Sequence, residues 1–231
     1  MLNRMRRSGR LLAILAVPFL ATACSDDDDD NVTGPGGDVG IAQVRVVHLS
    51  PDAPAVDVAV NGEVAVAGAV YLDATDYLPV PAGDVRITVT PAGQTQPIVI
   101  DATVSLGADA SYTVAATGFL ADIQPLVILD DRSPSGDANV RFVHTSPDAP
   151  AVTVAVSEGP NIFGGVAFRE ATSYAGVPGG TYDLEVRVAG TSTVALPLPG
   201  VDFMGGTNYT VFAVGLASDG SLSALPLVDA P

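Results

Sequence analysis

Residues 44–60 read VRVVHLSPDAPAVDVAV, and residues 140–156 read VRFVHTSPDAPAVTVAV. The two stretches are identical at 14 of 17 positions, at an offset of 96 residues. Each contains a valine-rich run, a segment of Ser, Pro, Asp and Ala, and a second valine-rich run. Valine favours extended strands, whereas Pro and Asp favour turns. The pattern therefore predicts a strand, a turn and a second strand, present twice in this chain.

The duplication continues beyond these stretches at an offset of 97 residues. Three further pairs of segments correspond: ATDY at 74–77 with ATSY at 171–174, VPAG at 80–83 with VPGG at 177–180, and YTV at 112–114 with YTV at 209–211. A period of about 100 residues is too long for a solenoid repeat and has the size of a complete small domain. We therefore predict one domain at residues 41–131 and a second at residues 138–231, joined by the turn-forming linker Asp131–Asp137.

Each copy shows the alternation of apolar and polar residues that a half-exposed strand requires. Residues 85–90 and 182–188 alternate in this way. The strands predicted for the first copy are 41–48, 55–60, 63–71, 84–90, 97–105, 111–117 and 123–129. Short strands separated by turn signals predict an all-β fold with two tandem Ig-like antiparallel β-sandwich domains. These domains are predicted to follow a signal peptide and an acidic tether, which are described below. Residues 107–114 also resemble a tyrosine corner, with Tyr112 as its tyrosine.

The first 24 residues have the organisation of a bacterial export signal. Four Arg lie among the first ten residues, and the apolar run Leu11–Ala23 follows, which is shorter than the ~20 residues needed to span a bilayer. The string Leu20-Ala21-Thr22-Ala23-Cys24 resembles the lipobox of bacterial lipoproteins and contains the single Cys of the chain. The resemblance implies a lipoprotein signal peptide over residues 1–23 and a membrane anchor through lipid on Cys24. An ordinary secretory signal with an incidental Cys is the alternative.

Residues 24–40 are predicted to form an acidic, Gly-rich tether. Five consecutive Asp, Asp26–Asp30, are followed by the segment Gly34-Pro35-Gly36-Gly37. Like charges repel one another, and Gly and Pro disfavour packing, so we expect an extended spacer. Carboxylates are also calcium ligands, and a calcium-binding segment is the alternative, although a flexible run does not preorganise a coordination shell.

The charge balance argues against nucleic acid as a partner. The chain has 26 acidic and 10 basic residues, and its formal charge downstream of Ala23 is −20. Phosphate binding and a polybasic contact with anionic lipid both need a clustered basic surface. A single Cys also excludes an internal disulfide framework and a Cys-rich metal site.

The repeated segment His-x-Ser-Pro-Asp is the main candidate for chemistry. It comprises His48, Ser50 and Asp52 in the first copy and His144, Ser146 and Asp148 in the second, and these are the two His of the chain. The favoured interpretation is a structural turn, in which Ser and Asp bond to backbone N–H groups and Pro fixes φ. In this interpretation the His bridges the turn to a neighbouring strand.

A hydrolase triad and a metal site are the alternative interpretations of the motif. A triad needs three side chains that converge from separate elements, and the Gly-x-Ser-x-Gly elbow of many hydrolases is absent. A metal site could use His48, Asp52 and Asp57, but stable Zn²⁺ sites need three or four ligands and Thr153 replaces Asp57 in the second copy. We therefore predict no catalytic residue, no cofactor and no resident metal, with a weakly bound ion as the alternative.

Residues 44–58 and 140–152 resemble the signature of the bacterial family called domain of unknown function 4397. The resemblance covers both copies, roughly residues 41–231. It implies an exported or envelope-anchored bacterial protein with tandem copies. Because no activity is assigned to this family, the resemblance implies no catalytic residue.

Together these features predict a non-enzymatic lipoprotein of the bacterial cell envelope, lipid-anchored and facing the periplasm or the exterior. Its two modules are expected to bind an envelope protein, a glycan or a cell-wall partner through loops or sheet faces, by analogy with other sandwiches. A divalent-cation-assisted (Ca²⁺) adhesion or assembly module is the first alternative. An envelope hydrolase that uses His48 and His144 is the second.

Overall fold

The structure is a computed structural model that describes residues 40–133 and 136–230. The predicted signal peptide, Cys24 and the tether up to Gly40 lie outside the described residues. The two repeats belong to one compact unit. Within the described residues the helical element is a three-residue 3₁₀ turn, Leu120–Asp122. In this part of the chain, no helix has the length and apolar character needed to cross a membrane.

Repeat 1, residues 40–131, and repeat 2, residues 138–230, contain matching sets of strands. Those of repeat 1 are β1 (Ile41–Leu49), β2 (Val56–Val60), β3 (Glu63–Ala69), β4 (Leu78–Pro81), β5 (Gly83–Pro91), β6 (Ile100–Leu106), β7 (Ser111–Thr117) and β8 (Gln124–Asp130). Those of repeat 2 are β9 (Ala138–His144), β10 (Val152–Val156), β11 (Asn161–Val166), β12 (Ala175–Val177), β13 (Gly180–Val188), β14 (Val194–Phe203), β15 (Asn208–Val214) and β16 (Ser223–Ala230). The duplication in the sequence is therefore a duplication of the fold.

Each repeat is a sandwich of two four-stranded sheets. The strand orders are β4-β1-β7-β8 and β3-β2-β5-β6 in repeat 1, and β12-β9-β15-β16 and β11-β10-β13-β14 in repeat 2. Two pairs run parallel, β1 with β7 and β9 with β15, and the other neighbouring strands run antiparallel. The prediction of an all-β chain with two tandem sandwiches is confirmed. The parallel pair in each repeat is a feature that the sequence pattern did not indicate.

The sequence pattern missed one strand in each copy, β4 and β12. β4 has the sequence LPVP, and β12 has three residues. Proline cannot donate a hydrogen bond to a sheet, so two prolines argue against a central strand. β4 lies at a sheet edge, where proline is tolerated, and it pairs with β1 in antiparallel register.

β1 is buried on both faces, which explains its nearly continuous apolar sequence. Successive side chains of a strand point to opposite faces of the sheet. Val44 and Val46 belong to the core between the two sheets of repeat 1. Val47 and Leu49 point the other way, into an apolar cluster shared with Val143 and other residues of repeat 2. The sheets that contain β1 and β9 therefore pack against each other, and the two repeats are docked.

The predicted tyrosine corner is present in both copies. The Tyr112 hydroxyl accepts a hydrogen bond from the amide of Gly107 at 2.9 Å, and the Tyr209 hydroxyl accepts one from the amide of Met204 at 3.1 Å. Each bond closes the turn that leads into β7 or β15. The corner therefore positions the strand that pairs in parallel with β1 or β9.

Candidate functional site

The turn after β1 is held by the first copy of the repeated motif. His48 lies buried near the end of β1. Its Nδ1 accepts a hydrogen bond from the amide of Ser50 at 3.4 Å, and its Nε2 lies 3.2 Å from the carbonyl oxygen of Pro54. Because Nδ1 is an acceptor, the proton of the neutral imidazole sits on Nε2 and is donated to Pro54. The buried His48 ring therefore links two backbone groups of the turn, the amide of Ser50 and the carbonyl of Pro54.

Ser50 and Asp52 connect this turn to the loop that follows β7. The Ser50 hydroxyl donates to the carbonyl oxygen of Gly118 at 2.6 Å. Asp52 Oδ1 accepts a hydrogen bond from the amide of Leu120 at 2.7 Å. Since β1 and β7 are neighbours, the motif joins the loops of two adjacent strands at one end of the sandwich.

The second copy of the motif builds the same turn with one difference. His144 Nδ1 accepts from the amide of Ser146 at 3.3 Å, and its Nε2 donates to the carbonyl oxygen of Pro150 at 3.0 Å. Asp148 accepts hydrogen bonds from two amides of the loop after β15, at 2.7 and 2.9 Å. The Ser146 hydroxyl donates to Asp148 at 3.4 Å instead of to a loop carbonyl.

These contacts do not form a catalytic triad. A Ser nucleophile must donate its hydroxyl proton to the His that activates it. The hydroxyls of Ser50 and Ser146 donate elsewhere, to a carbonyl and a carboxylate. Burial lowers the pKa of His48 and His144, against a smaller opposing effect of hydrogen-bonded backbone carbonyls. In this geometry the imidazoles, hydroxyls and carboxylates of the motif are hydrogen-bonded side chains that hold a turn.

The expected bridge from the His to a neighbouring strand is wrong, because both ring nitrogens bond within the turn itself. The rings instead contact an aromatic side chain of the loop after β3 or β11. His48 meets Tyr71 edge to face, with ring centroids 6.4 Å apart, and His144 meets Phe168 in the same way at 6.3 Å. The Tyr71 hydroxyl accepts a hydrogen bond from the amide of Gly215 in repeat 2 at 2.8 Å. The motif therefore also supports a contact between the repeats.

Arg169, next to Phe168, makes the corresponding contact from repeat 2 to repeat 1. Its guanidinium donates to the carbonyl oxygens of Thr117 at 3.0 Å and Asp122 at 2.8 Å. Gly118 lies directly beneath this guanidinium with φ at +94°, and a Cβ there would lie 2.4 Å from Arg169 Nη2. A glycine is therefore required where the two repeats approach each other at this end.

The carboxylates considered as metal ligands bond to backbone amides. Asp52 accepts from Leu120, and the two carboxylate oxygens of Asp57 accept from Gly68 at 2.7 Å and from Gly93 at 2.8 Å. Across residues 40–133 and 136–230, no group of three or more His, Cys, Asp or Glu side chains is placed to hold a metal ion. These hydrogen bonds support a role for both aspartates in loop structure.

The buried Arg and Asp side chains of residues 40–133 and 136–230 lie where the two repeats meet. Arg45 of β1 and Arg141 of β9 are 3% and 2% exposed. Arg45 Nη2 lies 2.5 Å from Asp229 Oδ1, and Arg141 forms the corresponding ion pair with Asp130. Each Arg thus pairs with an Asp of the other repeat. Exchanging the two repeats exchanges the contacts, as in the isologous interface of a twofold dimer.

Threonines and backbone carbonyls satisfy the remaining hydrogen bonds of these charges. Arg45 Nη2 donates to the Thr113 hydroxyl at 2.8 Å, and its Nη1 donates to the carbonyl of Val228 at 3.1 Å. Arg141 makes the corresponding bonds to the Thr210 hydroxyl (2.8 Å) and the Leu129 carbonyl (2.7 Å). Each threonine hydroxyl donates in turn to the Asp of its own repeat, at 2.7 Å in both cases. No buried side-chain N or O atom of the described residues lacks a hydrogen-bond partner.

Two tyrosines cover the charges from the outer side. Tyr77 donates its hydroxyl proton to Asp130 at 2.8 Å, and Tyr174 donates to Asp229 at 2.7 Å. Each ring also lies against the buried guanidinium of its own repeat, with the guanidinium carbon 5.0 and 4.8 Å from the ring centroid. Burial is the main reason why the pKa of each tyrosine lies above its usual value, so both hydroxyls remain protonated donors. We call this set the ionic junction: Arg45, Tyr77, Thr113, Asp130, Arg141, Tyr174, Thr210 and Asp229.

Sequence spacing did not indicate the ionic junction, because the partner of each arginine depends on how the repeats dock: Arg141 and Asp130 are 11 residues apart. Arg45 and Asp229 are separated by 184 residues. A signal was nevertheless present: an Arg interrupts the same apolar run in both copies, at Arg45 and Arg141. An arginine inside a strand that is otherwise apolar indicates a buried charge, which needs an acidic partner.

An open groove of about 680 Å³ lies beside the ionic junction. Its lining includes Arg141 and Tyr174 of the junction, the exposed Ser173, and Asp131 and Arg132 from the end of repeat 1. Charged, hydroxyl and aromatic groups therefore meet in one concave surface. Such a combination suits a partner that forms several hydrogen bonds.

Two comparisons with known proteins bear on this architecture. The family model described as Domain of unknown function (DUF4397) matches the chain twice, at residues 42–155 and at residues 138–231. A comparison with curated proteins finds no match. The family model covers the motif, the strands of both repeats and the residues of the ionic junction.

Proposed function

This chain belongs to the family Domain of unknown function (DUF4397), and we propose that it is a non-enzymatic cell-envelope lipoprotein that presents two rigidly joined β-sandwich modules to a binding partner. The partner is an envelope protein, a glycan or the cell wall. The role of the chain is to hold two modules at a fixed spacing.

The observation that carries this proposal is the ionic junction together with the apolar cluster beneath it. Val47, Leu49, Val143 and Phe212 are almost completely buried between the repeats. Moving one repeat relative to the other would leave buried charges without their partners, which costs about 3–5 kcal/mol for each pair. A preformed binding surface spends less conformational entropy on association than two freely hinged modules would.

The charges of the molecule favour a neutral or basic partner. Six Arg follow Ala23, against 26 acidic residues. The ionic junction buries two of these Arg together with two Asp, so four Arg and 24 acidic residues remain outside it and the net charge of that remainder is still −20. An acidic surface repels nucleic acids and anionic lipids and attracts basic segments.

The hydrogen bonding of the repeated motif supports a role without catalysis. Ser50 and Ser146 have no His to activate them, and His48 and His144 use both ring nitrogens to hold their turns. A general base needs a free nitrogen that can reach a substrate proton. The motif is thus better suited to shaping the ends of the sandwiches than to turning over a substrate.

The proposed location rests on the N-terminal sequence alone. The basic segment, the apolar run Leu11–Ala23 and Cys24 follow one another in the order of a lipoprotein signal. The location is tested by expressing the full chain in a bacterium and measuring the mass of the N-terminal peptide and its partition into the membrane fraction. Cys24→Ser should abolish both the lipid mass and the membrane partition, and a lipid-free mature chain would contradict the proposal.

Binding is tested with the unlipidated full chain, Cys24→Ser, by co-sedimentation with purified cell-wall sacculi and by titration with soluble cell-wall glycans. Ser173→Trp fills the groove beside the ionic junction. Asp76→Trp, at the corresponding exposed position of repeat 1, is its matched control. We expect the Ser173 variant to bind at least tenfold more weakly and the Asp76 variant to bind like its parent. Hydrolysis of ester or glycan substrates that disappears in Ser50→Ala plus Ser146→Ala would contradict the proposal.

A further inference from the structure

Repeat 2 contains two neighbouring apolar cavities between its sheets, of about 170 Å³ and 110 Å³. The side chains that line the larger one are apolar throughout. The smaller one reaches the repeated motif and includes His144 and Ser146 in its wall. Both cavities draw residues from β10, β13, β14 and β15.

The two cavities are consecutive along the same four strands. On each strand one residue lines the smaller cavity and the residue two positions away lines the larger one: Val152 and Val154, Val186 and Leu184, Leu196 and Leu198, Ala213 and Val211. Residues two apart on a strand face the same side, about 7 Å from each other. The cavities therefore lie in successive layers between the same two sheets, and we call the pair the repeat 2 slot.

Repeat 1 has no such division in its interior, because its buried residues form one continuous apolar cluster. Three positions are larger in repeat 2 by strand register: Phe142 for Val46, Phe163 for Val66, and Leu198 for Ala102. Larger side chains hold two sheets apart and leave gaps beside small neighbours such as Ala213 and Ala224. At the motif end, Ile123 is buried in the core of repeat 1, whereas its counterpart Leu222 is half-exposed and lines the slot.

The walls of the slot favour a hydrocarbon over water. A bound water needs two to four polar partners, and every buried polar side-chain atom of the described residues already has one. A cavity of about 150 Å³ lined by Leu, Ile and Phe stays dry and holds a benzene molecule. By that measure the larger cavity has room for about six carbons, and the whole slot for about ten. Two small cavities in consecutive layers suit a straight chain better than a ring system.

We propose that repeat 2 binds a single saturated alkyl chain, such as the acyl chain of a fatty acid, between its two sheets. Exposed residues of β14 and β16, among them Ala195 and Ser223, belong to the wall of the smaller cavity, so the slot opens there and the polar head group stays in water. Withdrawing about ten methylene groups from water supplies the free energy of binding. The site lies within repeat 2 and does not rest on lipid attachment at Cys24.

The test uses the unlipidated full chain, Cys24→Ser, with decanoate as the probe and acetate as the control without an alkyl chain. Calorimetric titration should give one decanoate per chain and no binding of acetate. Decanoate should also raise the midpoint of thermal unfolding, because it binds the folded state. Absence of decanoate binding would overturn the proposal.

Two variants place the site in the slot. Val211→Phe and Ala224→Leu both fill the larger cavity, and we expect each to weaken decanoate binding at least 30-fold while the unliganded protein stays folded. Val114→Phe, at the corresponding position of repeat 1, should leave decanoate binding within twofold of the parent. Binding that survives both filling variants would overturn the proposal.

A final comparison separates two sources of the alkyl chain. If decanoate binds the lipidated and unlipidated chains equally, the slot takes a free chain from its surroundings. If it binds the unlipidated chain alone, the protein's own lipid occupies the slot. Either result requires the same alkyl site, and failure to bind in both forms contradicts it without bearing on the lipoprotein proposal.

Discussion

In repeat 1 the buried apolar residues form one continuous cluster, whereas in repeat 2 they divide into two clusters that line cavities of about 170 and 110 Å³. At the ionic junction, in contrast, the two repeats are alike. Arg45, Thr113 and Tyr77 of repeat 1 have exact counterparts in repeat 2, with hydrogen bonds of nearly the same length. The two copies therefore differ in their interiors and agree at the ionic junction.

The nature of the two kinds of interaction accounts for this difference. An apolar interior tolerates changes of side-chain volume at about 1–3 kcal/mol each, because neighbouring side chains can shift. A buried ion pair that loses one partner costs about 3–5 kcal/mol, because the remaining charge is stranded away from water. Substitutions are thus more readily accepted between the sheets than at the ionic junction.

The largest effect should come from breaking the ionic junction. Asp130→Ala and Asp229→Ala each leave an arginine buried without its carboxylate, and each should lower the free energy of unfolding by about 3–5 kcal/mol. The two values should agree closely, because the junction is the same from both sides. Urea unfolding of the unlipidated full chain measures both.

The matched control for these variants is an exposed ion pair of repeat 1. Arg86 and Asp101 form a bidentate pair, but their side chains are 58% and 47% exposed. Asp101→Ala should leave the unfolding midpoint unchanged within error, because exposed pairs contribute little. If only one of the variants Asp130→Ala and Asp229→Ala lost free energy of unfolding, the two sides of the ionic junction would not be equivalent.

A second prediction contrasts the residues that close the motif end of each sandwich. Ile123→Ala removes a buried side chain from the continuous core of repeat 1 and should cost about 2–5 kcal/mol. Leu222→Ala removes a half-exposed side chain beside an existing cavity and should cost about 1 kcal/mol or less. Equal losses in urea unfolding would show that the two ends are packed alike.

A third prediction adds volume at corresponding positions of β7 and β15. Ala116→Leu overpacks the closed core of repeat 1 and should cost about 1–3 kcal/mol. Ala213→Leu places the same atoms beside the repeat 2 slot, so its effect should stay within about 1 kcal/mol. Thermal unfolding of the two variants against their parent measures the difference. If Ala213→Leu were the more damaging of the two, the slot would not be open space.

The smallest effect is a pH dependence that both repeats share. Burial lowers the pKa of His48 and His144 below the ordinary value of 6.5. As the pH falls below about 6.5, the unfolded chain takes up protons that the folded chain does not, so the free energy of unfolding decreases until the folded pKa is reached. The midpoint temperature of unfolding should therefore decrease as the pH is lowered from 7 to 5.

Replacing both histidines tests this linkage. In the double variant His48→Gln plus His144→Gln, the midpoint temperature should no longer change between pH 7 and pH 5. Each single variant should lose about half of the pH dependence of the parent. The repeats should contribute equally, since the two imidazoles make the same hydrogen bonds. An unchanged slope in the double variant would assign the pH dependence to other groups.

Much of the fold could be predicted because its signals are local. The valine-rich runs and their Ser-Pro-Asp turn identify β1, β2 and their counterparts, and the tyrosine corner is recognisable at Tyr112 from its neighbours. β4 was missed because two prolines hide an edge strand. The bridge assigned to His48 was wrong because sequence spacing does not tell which carbonyl a ring nitrogen reaches.

The sequence by itself determined the fold class, the duplication and the acidic charge of this protein, because these follow from alternation along the chain and from composition. Only the tertiary structure decided that Arg45 meets an aspartate 184 residues away and that the interior of repeat 2 is not filled. An ion pair between distant segments depends on how whole sheets dock. A cavity depends on the summed volumes of side chains from several strands. Neither quantity is carried by any one stretch of the chain.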